Sequence, residues 1–228
     1  MSDFLVVLAK QPLRGLAKTR LARDVGLDRA QRLAEAFVID TLELARSRSG
    51  ARTLVAHAPA DAGPWFELRA PWAARRPQSE GDLGQRLRSA TRAAFEGGAT
   101  RCVVIGTDTP HLPPETLDEA FLALDSADLC LGPSLDGGYY LIGLRADRPR
   151  LFENVPWSSG AVLQVTLARA VEQGLRVHRL REDFDVDEGA DLERLAQGLL
   201  RRPGTAPATR AVLFGPEPGP GDLAADRR

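Results

Sequence analysis

The sequence lacks the features that mark membrane, disulfide-rich and nucleic-acid-binding proteins. No apolar run reaches the ~18 residues that a membrane span needs, and the first residues lack the pattern of a signal peptide. The two cysteines, Cys102 and Cys130, each lie inside an apolar run, which favours buried thiols over a disulfide framework or a zinc site. Lys plus Arg number 30 and Asp plus Glu number 31, so the net charge of −1 predicts no general attraction to nucleic acid or anionic membranes. We therefore expect a cytoplasmic protein.

The order of apolar segments predicts an α/β domain. The 228 residues, 43% hydrophobic and 27% charged, suit one globular domain, for which ~100–200 residues are usual. Short continuous apolar runs indicate strands buried on both faces, and they lie at residues 3–9, 53–56, 101–106, 128–132, 139–143 and 175–180. Helical patterns lie at residues 28–46, 82–95, 113–124, 158 or 159 to 172, and 190–200. This alternation predicts an α/β sandwich, and the neighbouring strands around Asp136 predict a mixed sheet.

Two segments interrupt this pattern. Residues 59–80 hold four prolines and are expected to be irregular, with at most a short helix. From Arg202 onward, prolines alternate with glycines and alanines. We therefore assign a domain to residues 1–201 and a Pro/Gly-rich tail without a packed fold to residues 202–228. Within this tail, residues 211–214 could dock as an edge strand.

A basic loop follows the first predicted strand. Lys10 comes directly after the apolar run, and Lys18 and Arg20 follow in a loop that contains Gly15. Lysine supplies a compact positive charge and arginine a planar fork of donors, and both match phosphate oxygens. The loop could therefore bind a phosphate chain. Alternatively, its charges are ordinary solvated surface charges.

Aspartates follow two later strands. Asp108 stands in Gly106-Thr-Asp-Thr-Pro110, directly after an apolar strand, which is where open α/β sheets bind ligands. Asp183, Asp185 and Asp187 alternate, and their carboxylates would repel one another without a cation or a basic group. In an extended segment, alternation would place all three on one face. Carboxylate oxygens suit a divalent cation, whereas the alternatives are a turn cap at Asp108 and a helix cap at Asp187.

The segment Asp136-Gly-Gly-Tyr-Tyr140 has the residues of a hairpin and of a substrate loop. Paired glycines permit positive φ angles and let a ligand approach the backbone closely. Asp-Gly is also a strong hairpin signal, and the two interpretations are compatible. The histidines are less informative: structural roles are expected for His57 and His178, and a supporting role beside Asp108 is possible for His111.

Six motifs occur together in one order, and the set resembles a known bacterial family. They are Lys10-Gln-Pro-Leu-Arg-Gly-Leu-Ala-Lys-Thr-Arg-Leu-Ala22, Gly81-Asp-Leu-Gly-Gln-Arg-Leu87, Gly106-Thr-Asp-Thr-Pro110, Asp136-Gly-Gly-Tyr-Tyr-Leu-Ile-Gly143, Pro156-Trp-Ser158 and Asp185-Val-Asp187. Across residues 3–198 the chain resembles small GT-A-type transferases of bacteria that are labelled glycosyltransferases, some of them in arsenosugar biosynthesis. More distantly it is similar to phospholactate guanylyltransferases, which share the basic Lys-x-Arg-Leu loop and the late Asp-x-Asp.

The resemblance implies a Rossmann-like GT-A fold, a three-layer sandwich around a mixed, mostly parallel sheet. Asp108 and Asp187 would bridge Mg²⁺ or Mn²⁺ to a diphosphate. The implied partners are a nucleotide or nucleotide-sugar donor and a small-molecule acceptor. The residues implied in binding the nucleotide are Lys10, Lys18, Arg20, Asp82, Gly137 and Gly138.

Three functional hypotheses follow. In the first, metal-dependent glycosyl transfer from a nucleoside-diphosphate sugar, Lys18 and Arg20 stabilise the departing diphosphate. Asp136 or Asp185 would be the carboxylate base of an inverting reaction. In the second, nucleotidyl transfer, a phosphorylated acceptor attacks the α-phosphate of a nucleoside triphosphate and pyrophosphate is released. The third is a nonenzymatic nucleotide-binding protein that has kept the fold.

Overall fold

A seven-stranded sheet forms the centre of the computed structural model, which describes residues 2–215. The strands are β1 (Asp3–Lys10), β2 (Ala51–Ala58), β3 (Ala74–Pro77), β4 (Arg101–Ile105), β5 (Leu129–Pro133), β6 (Tyr139–Leu144) and β7 (Val177–Arg179). Their order across the sheet is β3-β2-β1-β4-β6-β5-β7. β6 runs antiparallel to β4 and β5, and the other pairs are parallel. The predicted mixed, mostly parallel sheet is confirmed.

Helices connect the strands and cover both faces of the sheet. Those in the described residues are α1 (Leu21–Val25), α2 (Leu27–Ser47), α3 (Gly63–Arg69), α4 (Leu83–Glu96), α5 (Pro114–Ala123), α6 (Val162–Glu172), α7 (Gly189–Arg201) and α8 (Pro207–Phe214). Two 3₁₀ helices span Ala60–Ala62 and Pro149–Phe152. Of the helices described, none has the length and apolar character that crossing a membrane requires.

Alternate residues of β1 face opposite sides of the sheet and build two cores. Leu5 packs with side chains of α2, α3 and α5, whereas Val6 packs with side chains of α4 and α6. A central strand covered on both faces must be apolar along its whole length, which explains the continuous run at residues 3–9. Cys130 and Cys102 lie in the first and second core and are free thiols, as predicted. The predicted three-layer sandwich is confirmed.

The start of α4 follows from its local sequence. The Asp82 carboxylate accepts a hydrogen bond from the backbone N–H of Gln85 at 2.8 Å. In return, the Gln85 side-chain oxygen accepts from the backbone N–H of Asp82 at 2.9 Å. This reciprocal capping box satisfies two donors that the helix leaves unpaired, and the helix expected at residues 82–95 is confirmed.

Residues 59–80 contain more regular structure than predicted. The short helix expected there is α3, but the structure adds β3, which pairs with β2 in parallel. β3 has only four residues, mostly exposed, at the edge of the sheet. A strand this short and this exposed has no apolar alternation by which sequence patterns could identify it.

The tail predictions are wrong for the described part of the segment after residue 202. Residues 211–214 are not an edge strand but the second half of α8. This helix is packed, because the buried carboxylate of Asp40 on α2 accepts hydrogen bonds from the backbone N–H of Ala208 at 2.9 Å and of Thr209 at 2.8 Å. The Thr209 hydroxyl donates a third at 2.5 Å. A carboxylate from a distant helix thus caps α8. Residues 216–228, the rest of the predicted tail, lie outside the described residues.

Candidate functional site

A cleft of about 860 Å³ opens at the carboxyl ends of the central strands. In the sheet, β1 lies between β2 and β4, so the chain leaves β1 toward one side and returns to β4 on the other. Open α/β sheets bind ligands at such a switch point, because the loops diverge there and leave a crevice. The loops after β1 and β4, the turn before β6 and the first turn of α4 line the cleft.

The residues that the sequence suggested for catalysis, nucleotide binding and metal binding line this cleft, with the exception of Gly137. They are Lys10, Lys18, Arg20, Asp82, Asp108, Asp136, Gly138, Asp185 and Asp187. They come from five separate stretches of chain, so the fold gathers at one place the residues that sequence reasoning had considered loop by loop.

Lys18 bridges the two aspartates that the sequence suggested as metal ligands. Its Nζ lies 2.5 Å from Asp108 Oδ1 and 2.8 Å from Asp187 Oδ1. The Lys18 side chain is 9% exposed, whereas those of Asp108 and Asp187 are 51% and 48% exposed. Burial disfavours the ammonium, but the two carboxylates outweigh it and raise the pKa of Lys18 above its ordinary value. Lys18 therefore stays protonated and positively charged.

Backbone contacts bring the two acidic stretches together. The backbone N–H of Val186 donates to the Asp108 carbonyl oxygen at 2.8 Å. The Asp191 carboxylate accepts from the backbone N–H groups of Asp187 and Glu188 at 3.0 and 2.9 Å. The N-cap residue of α7 is Glu188, with Asp191 as its capping-box partner. The capping that was the alternative role for Asp187 therefore falls to Glu188, and the Asp187 carboxylate contacts Lys18.

Asp185 occupies the inner part of the cleft. It accepts hydrogen bonds from the hydroxyls of Thr109 at 2.7 Å and Ser134 at 3.1 Å. Burial raises the pKa of Asp185 to about 6, an effect to which the charges of Asp108 and Asp136 add and which the two hydroxyls partly offset. Asp185 thus holds the loop after β4 against the end of β5.

Asp183 does not join the other two aspartates of its stretch. Its Oδ1 lies 2.8 Å from His111 Nε2, and the His111 ring packs on Phe184 with centroids 4.4 Å apart. Burial alone would raise the pKa of Asp183, but His111 and the Phe184 amide bring it below its ordinary value. The common face expected for the alternating aspartates therefore holds for Asp185 and Asp187 only, and His111 supports Asp183 rather than Asp108.

The loop before β6 presents an exposed carboxylate. Asp136 Oδ1 accepts a hydrogen bond from the backbone N–H of Gly138 at 2.8 Å, which fixes the side chain. Gly137 has φ +87°, and a Cβ there would lie 2.2 Å from the carbonyl oxygen of Gly160. Only glycine fits this position, so the need for Gly137 is a matter of backbone shape.

Lys10 and Arg20 add positive charge to the cleft. Lys10 ends β1 and is exposed. The exposed guanidinium of Arg20 lies 3.9 Å from the Glu188 carboxylate. Arg86, on the first turns of α4, also lines the cleft and was not foreseen. Asp82 lies nearby, but the capping of α4 already accounts for its carboxylate.

Gln78 is a cleft residue that sequence reasoning missed. Its side-chain Nε2 donates to the carbonyl oxygens of Ala9 at 3.1 Å and Ala56 at 2.8 Å, at the ends of β1 and β2. Both amide hydrogens are thereby used, and the orientation of the amide is set. Oε1 of this cleft-lining residue remains available as an acceptor. The only sequence signal would have been a polar residue directly after β3, and β3 itself was not predicted.

The donor set fits a cation that arrives with phosphate. Within residues 2–215, no group of three or more His, Cys, Asp or Glu side chains is arranged to hold a metal ion. A divalent cation at Asp108 and Asp187 would have two carboxylates. Mg²⁺ typically binds to one or two carboxylates and takes phosphate oxygens and waters for the rest, so these residues fit such an ion.

Comparison with known structures supports the fold. A Desulfovibrio desulfuricans G20 protein with the working name nucleotide-diphospho-sugar transferase is 34% identical, over 93% of this chain and 94% of its own, with a TM-score of 0.85. The structure of 4-diphosphocytidyl-2C-methyl-D-erythritol synthase is 12% identical in sequence, over 87% of this chain and 98% of its own, with a TM-score of 0.59. Rv0371c from Mycobacterium tuberculosis H37Rv, solved in complex with manganese, is 20% identical in sequence, over 86% of this chain and 99% of its own, with a TM-score of 0.52. The last two similarities concern the fold alone.

The family of the chain follows from two of these comparisons. No curated protein has a matching sequence. The sequence profile of DUF2064 matches residues 41–159, just over half of the chain, and the similarity to the D. desulfuricans protein spans nearly all of it. The resemblance to small bacterial GT-A-type transferases is confirmed. The chain therefore belongs to DUF2064, a family described as uncharacterised protein conserved in bacteria.

Proposed function

We propose that this chain is a metal-dependent transferase that moves a glycosyl group from a nucleoside-diphosphate sugar to a small-molecule acceptor. The observation that carries the proposal is the meeting of Lys18, Asp108 and Asp187 in the cleft at the switch point. A diphosphate needs a cation held by carboxylates and a fixed basic group, and this cluster offers both. The working name of the D. desulfuricans relative agrees with the proposal.

The nucleoside would lie near Gln78, beyond the ends of β1 and β2. Gln78 Oε1 can accept an N–H from a nucleobase, because both hydrogens of its amide are already bonded to the backbone. Lys10, at the end of β1, and Arg20, directly before α1, also line the cleft. They would offset the charge of the diphosphate.

The chemical step requires stabilisation of the leaving group. In glycosyl transfer the bond between the anomeric carbon and the diphosphate breaks, and negative charge builds up on the departing oxygen. Lys18 and Arg20 would donate hydrogen bonds to this charge. A divalent cation held by Asp108 and Asp187 supplies Lewis-acid stabilisation of the same group when bound.

Asp136 is the proposed base for the acceptor hydroxyl. Its carboxylate is exposed in the cleft, and the Gly138 amide fixes its orientation. A base must be within hydrogen-bond reach of the proton that it removes, which an exposed carboxylate allows. Asp185 is committed to the Thr109 and Ser134 hydroxyls instead, and we propose that it positions the loop that carries Asp108.

Nucleotidyl transfer is the second candidate. The observation that favours it is the basic lining of the cleft by Lys10, Lys18, Arg20 and Arg86, which would suit the larger charge of a triphosphate. In that reaction a phosphorylated acceptor attacks the α-phosphate, and the bond to the pyrophosphate breaks. Lys18 and Arg20 would then hold the pyrophosphate.

One experiment separates the candidates. The protein is first screened by thermal shift against nucleotides and nucleotide sugars, with and without Mn²⁺, because a ligand that binds the folded state raises the melting temperature. The ligands that bind are then incubated with the enzyme. Release of free sugar and nucleoside diphosphate supports glycosyl transfer, whereas release of pyrophosphate in the presence of phosphate esters supports nucleotidyl transfer.

A matched pair of variants tests the site itself. Asp108→Asn should abolish the Mn²⁺-dependent thermal shift, because it removes one of the two proposed carboxylate ligands. Asp61→Asn, at an exposed aspartate outside the cleft, should behave like the wild type. A nucleotide that binds equally well with and without Mn²⁺, and equally well to Asp108→Asn, would favour the nonenzymatic binding protein.

A further inference from the structure

The Lys18 ammonium lies between the two carboxylates that are the proposed metal ligands. It contacts Asp108 Oδ1 at 2.5 Å and Asp187 Oδ1 at 2.8 Å. The lysine side chain is enclosed, at 9% exposure, while both carboxylates are about half exposed. The carboxylates can therefore be reached from the cleft, but the oxygens that face each other are already occupied by a positive charge.

The backbone of the loop presents Lys18 to these carboxylates. Lys18 has φ +47°, in the left-handed region that costs energy for a residue with a side chain. Its carbonyl oxygen accepts from the backbone N–H of Ala22 at 2.8 Å, just before α1 is established. A strained conformation persists when surrounding contacts over-determine it. Besides the two ion pairs, the Lys18 ammonium lies 5.8 Å from the centroid of the Phe37 ring.

We propose that Lys18 is a built-in counter-cation of the free protein. It neutralises Asp108 and Asp187, and it must withdraw from at least one of them before a divalent cation binds. The inference rests on the proposed function, which names these aspartates as metal ligands. A phosphate chain that attracts the Lys18 ammonium would free the carboxylates. Binding of phosphate and metal is then positively coupled, and the coupling acts in both directions.

The site remains assembled without Lys18. The backbone bond from Val186 to Asp108, at 2.8 Å, joins the two acidic stretches. The Asp24 carboxylate of α1 accepts from the backbone N–H of Gly189 at 2.8 Å, which joins the Lys18 loop to the start of α7. A variant without the ammonium should therefore keep the carboxylates close together, with their charges uncompensated.

The test is the affinity of the full chain for Mn²⁺ alone, measured from the free-ion signal in electron paramagnetic resonance. Lys18→Met should bind Mn²⁺ at least about tenfold more tightly than the wild type. In the wild type the ion must displace the Lys18 ammonium and break a charge-assisted hydrogen bond, whereas the variant has no such bond to break. Lys10→Met is the matched control, since Lys10 lines the same cleft and is joined to neither Asp108 nor Asp187 by a described ion pair. It should stay within about threefold of the wild type, because binding Mn²⁺ to these carboxylates breaks no described ion pair of Lys10.

Two additions make the result decisive. Adding Asp108→Asn to Lys18→Met should remove the gain, which locates the ion at this carboxylate. Mn²⁺ should also raise the melting temperature of Lys18→Met more than that of the wild type. If Lys18→Met does not fold, Lys18→Gln, which keeps a polar side chain of similar length, replaces it in both measurements.

The outcomes separate this inference from the proposed function. Equal Mn²⁺ affinity in wild type and Lys18→Met, or an equal gain in Lys10→Met, overturns the counter-cation role even if the protein proves to be a transferase. A gain that depends on Asp108 supports the role. That support stands even if no nucleotide sugar or triphosphate is turned over, in which case only the proposed reaction fails.

Discussion

The helix α8 should depend for its docking on the single carboxylate of Asp40. Asp40 is 5% exposed and accepts hydrogen bonds from two backbone N–H groups and one hydroxyl of the first turn of α8. Asp40→Ala leaves the amides of Ala208 and Thr209 without an acceptor, and a buried unpaired donor costs about 1–3 kcal/mol. The lost charge at the helix N-terminus adds about 0.3–1 kcal/mol. We expect the free energy of unfolding to fall by about 2–4 kcal/mol.

The assay is thermal unfolding followed by circular dichroism at pH 7. For a chain of this size, 1 kcal/mol corresponds to roughly 2–4 °C in Tm, so Asp40→Ala should melt roughly 5–15 °C below the wild type. Asp61→Ala, at an exposed aspartate, is the control and should change stability by no more than about 0.5 kcal/mol. A shift under about 2 °C for Asp40→Ala would refute the argument that this carboxylate holds α8.

Asp40 also predicts the sign of a pH effect. Burial raises the pKa of Asp40 in the folded state, and the hydrogen bonds from Thr209 and Ala208 offset only part of the rise. The folded state therefore binds this proton more tightly than the unfolded chain, where the pKa is about 3.9. The stabilisation that comes from the tighter binding of this proton is therefore fully present below that pH. It is lost as the pH rises through the folded-state pKa of Asp40. Asp40→Asn should flatten this part of the stability curve, and identical slopes in both proteins would contradict the assignment.

Three further predictions concern other parts of the molecule. Asp3→Asn breaks the buried bidentate ion pair with Arg101, whose two N–O distances are 2.7 and 2.8 Å. The free energy of unfolding, measured in urea, should fall by about 3 kcal/mol. A loss below about 1 kcal/mol would contradict this prediction. Gly137→Ala should destabilise the protein by at least about 2 kcal/mol more than Gly98→Ala. Both glycines have positive φ, but of the two only the Gly137 Cβ would meet a backbone oxygen, at 2.2 Å. Equal melting temperatures of the two variants would count against this prediction. Asp136→Asn should lower kcat at least about 100-fold while the KM for the donor changes little, and an unchanged kcat would exclude Asp136 as the base.

Sequence reasoning succeeded for elements whose signals are local. The continuous apolar runs of β1 and β4 and the capping box of Asp82 with Gln85 depend on residues a few positions apart. β3 and α8 had no such signal. β3 is a short exposed edge strand, and α8 is capped by Asp40, which lies far away in the chain.

The candidate site shows the same division. Asp108, Asp136 and Lys10 could be identified because charged residues at the ends of strands point to a ligand site in this fold class. Their partners could not. The sequence pattern does not distinguish Asp183, Asp185 and Asp187. In the structure Asp183 pairs with His111, whereas Asp187 pairs with Lys18.

By itself, the sequence determined which loops carry charge and those strands and helices whose patterns repeat over a few residues, but not β3 or α8. Only the tertiary structure decided that Lys18 lies between Asp108 and Asp187 and that Gln78, which lines the cleft, donates to the ends of β1 and β2. These contacts depend on β4 and β2 flanking β1 and on the segment 183–188 crossing the loop after β4. Pairing between distant charges is set by strand order and by burial, and neither is encoded in the spacing of neighbouring residues.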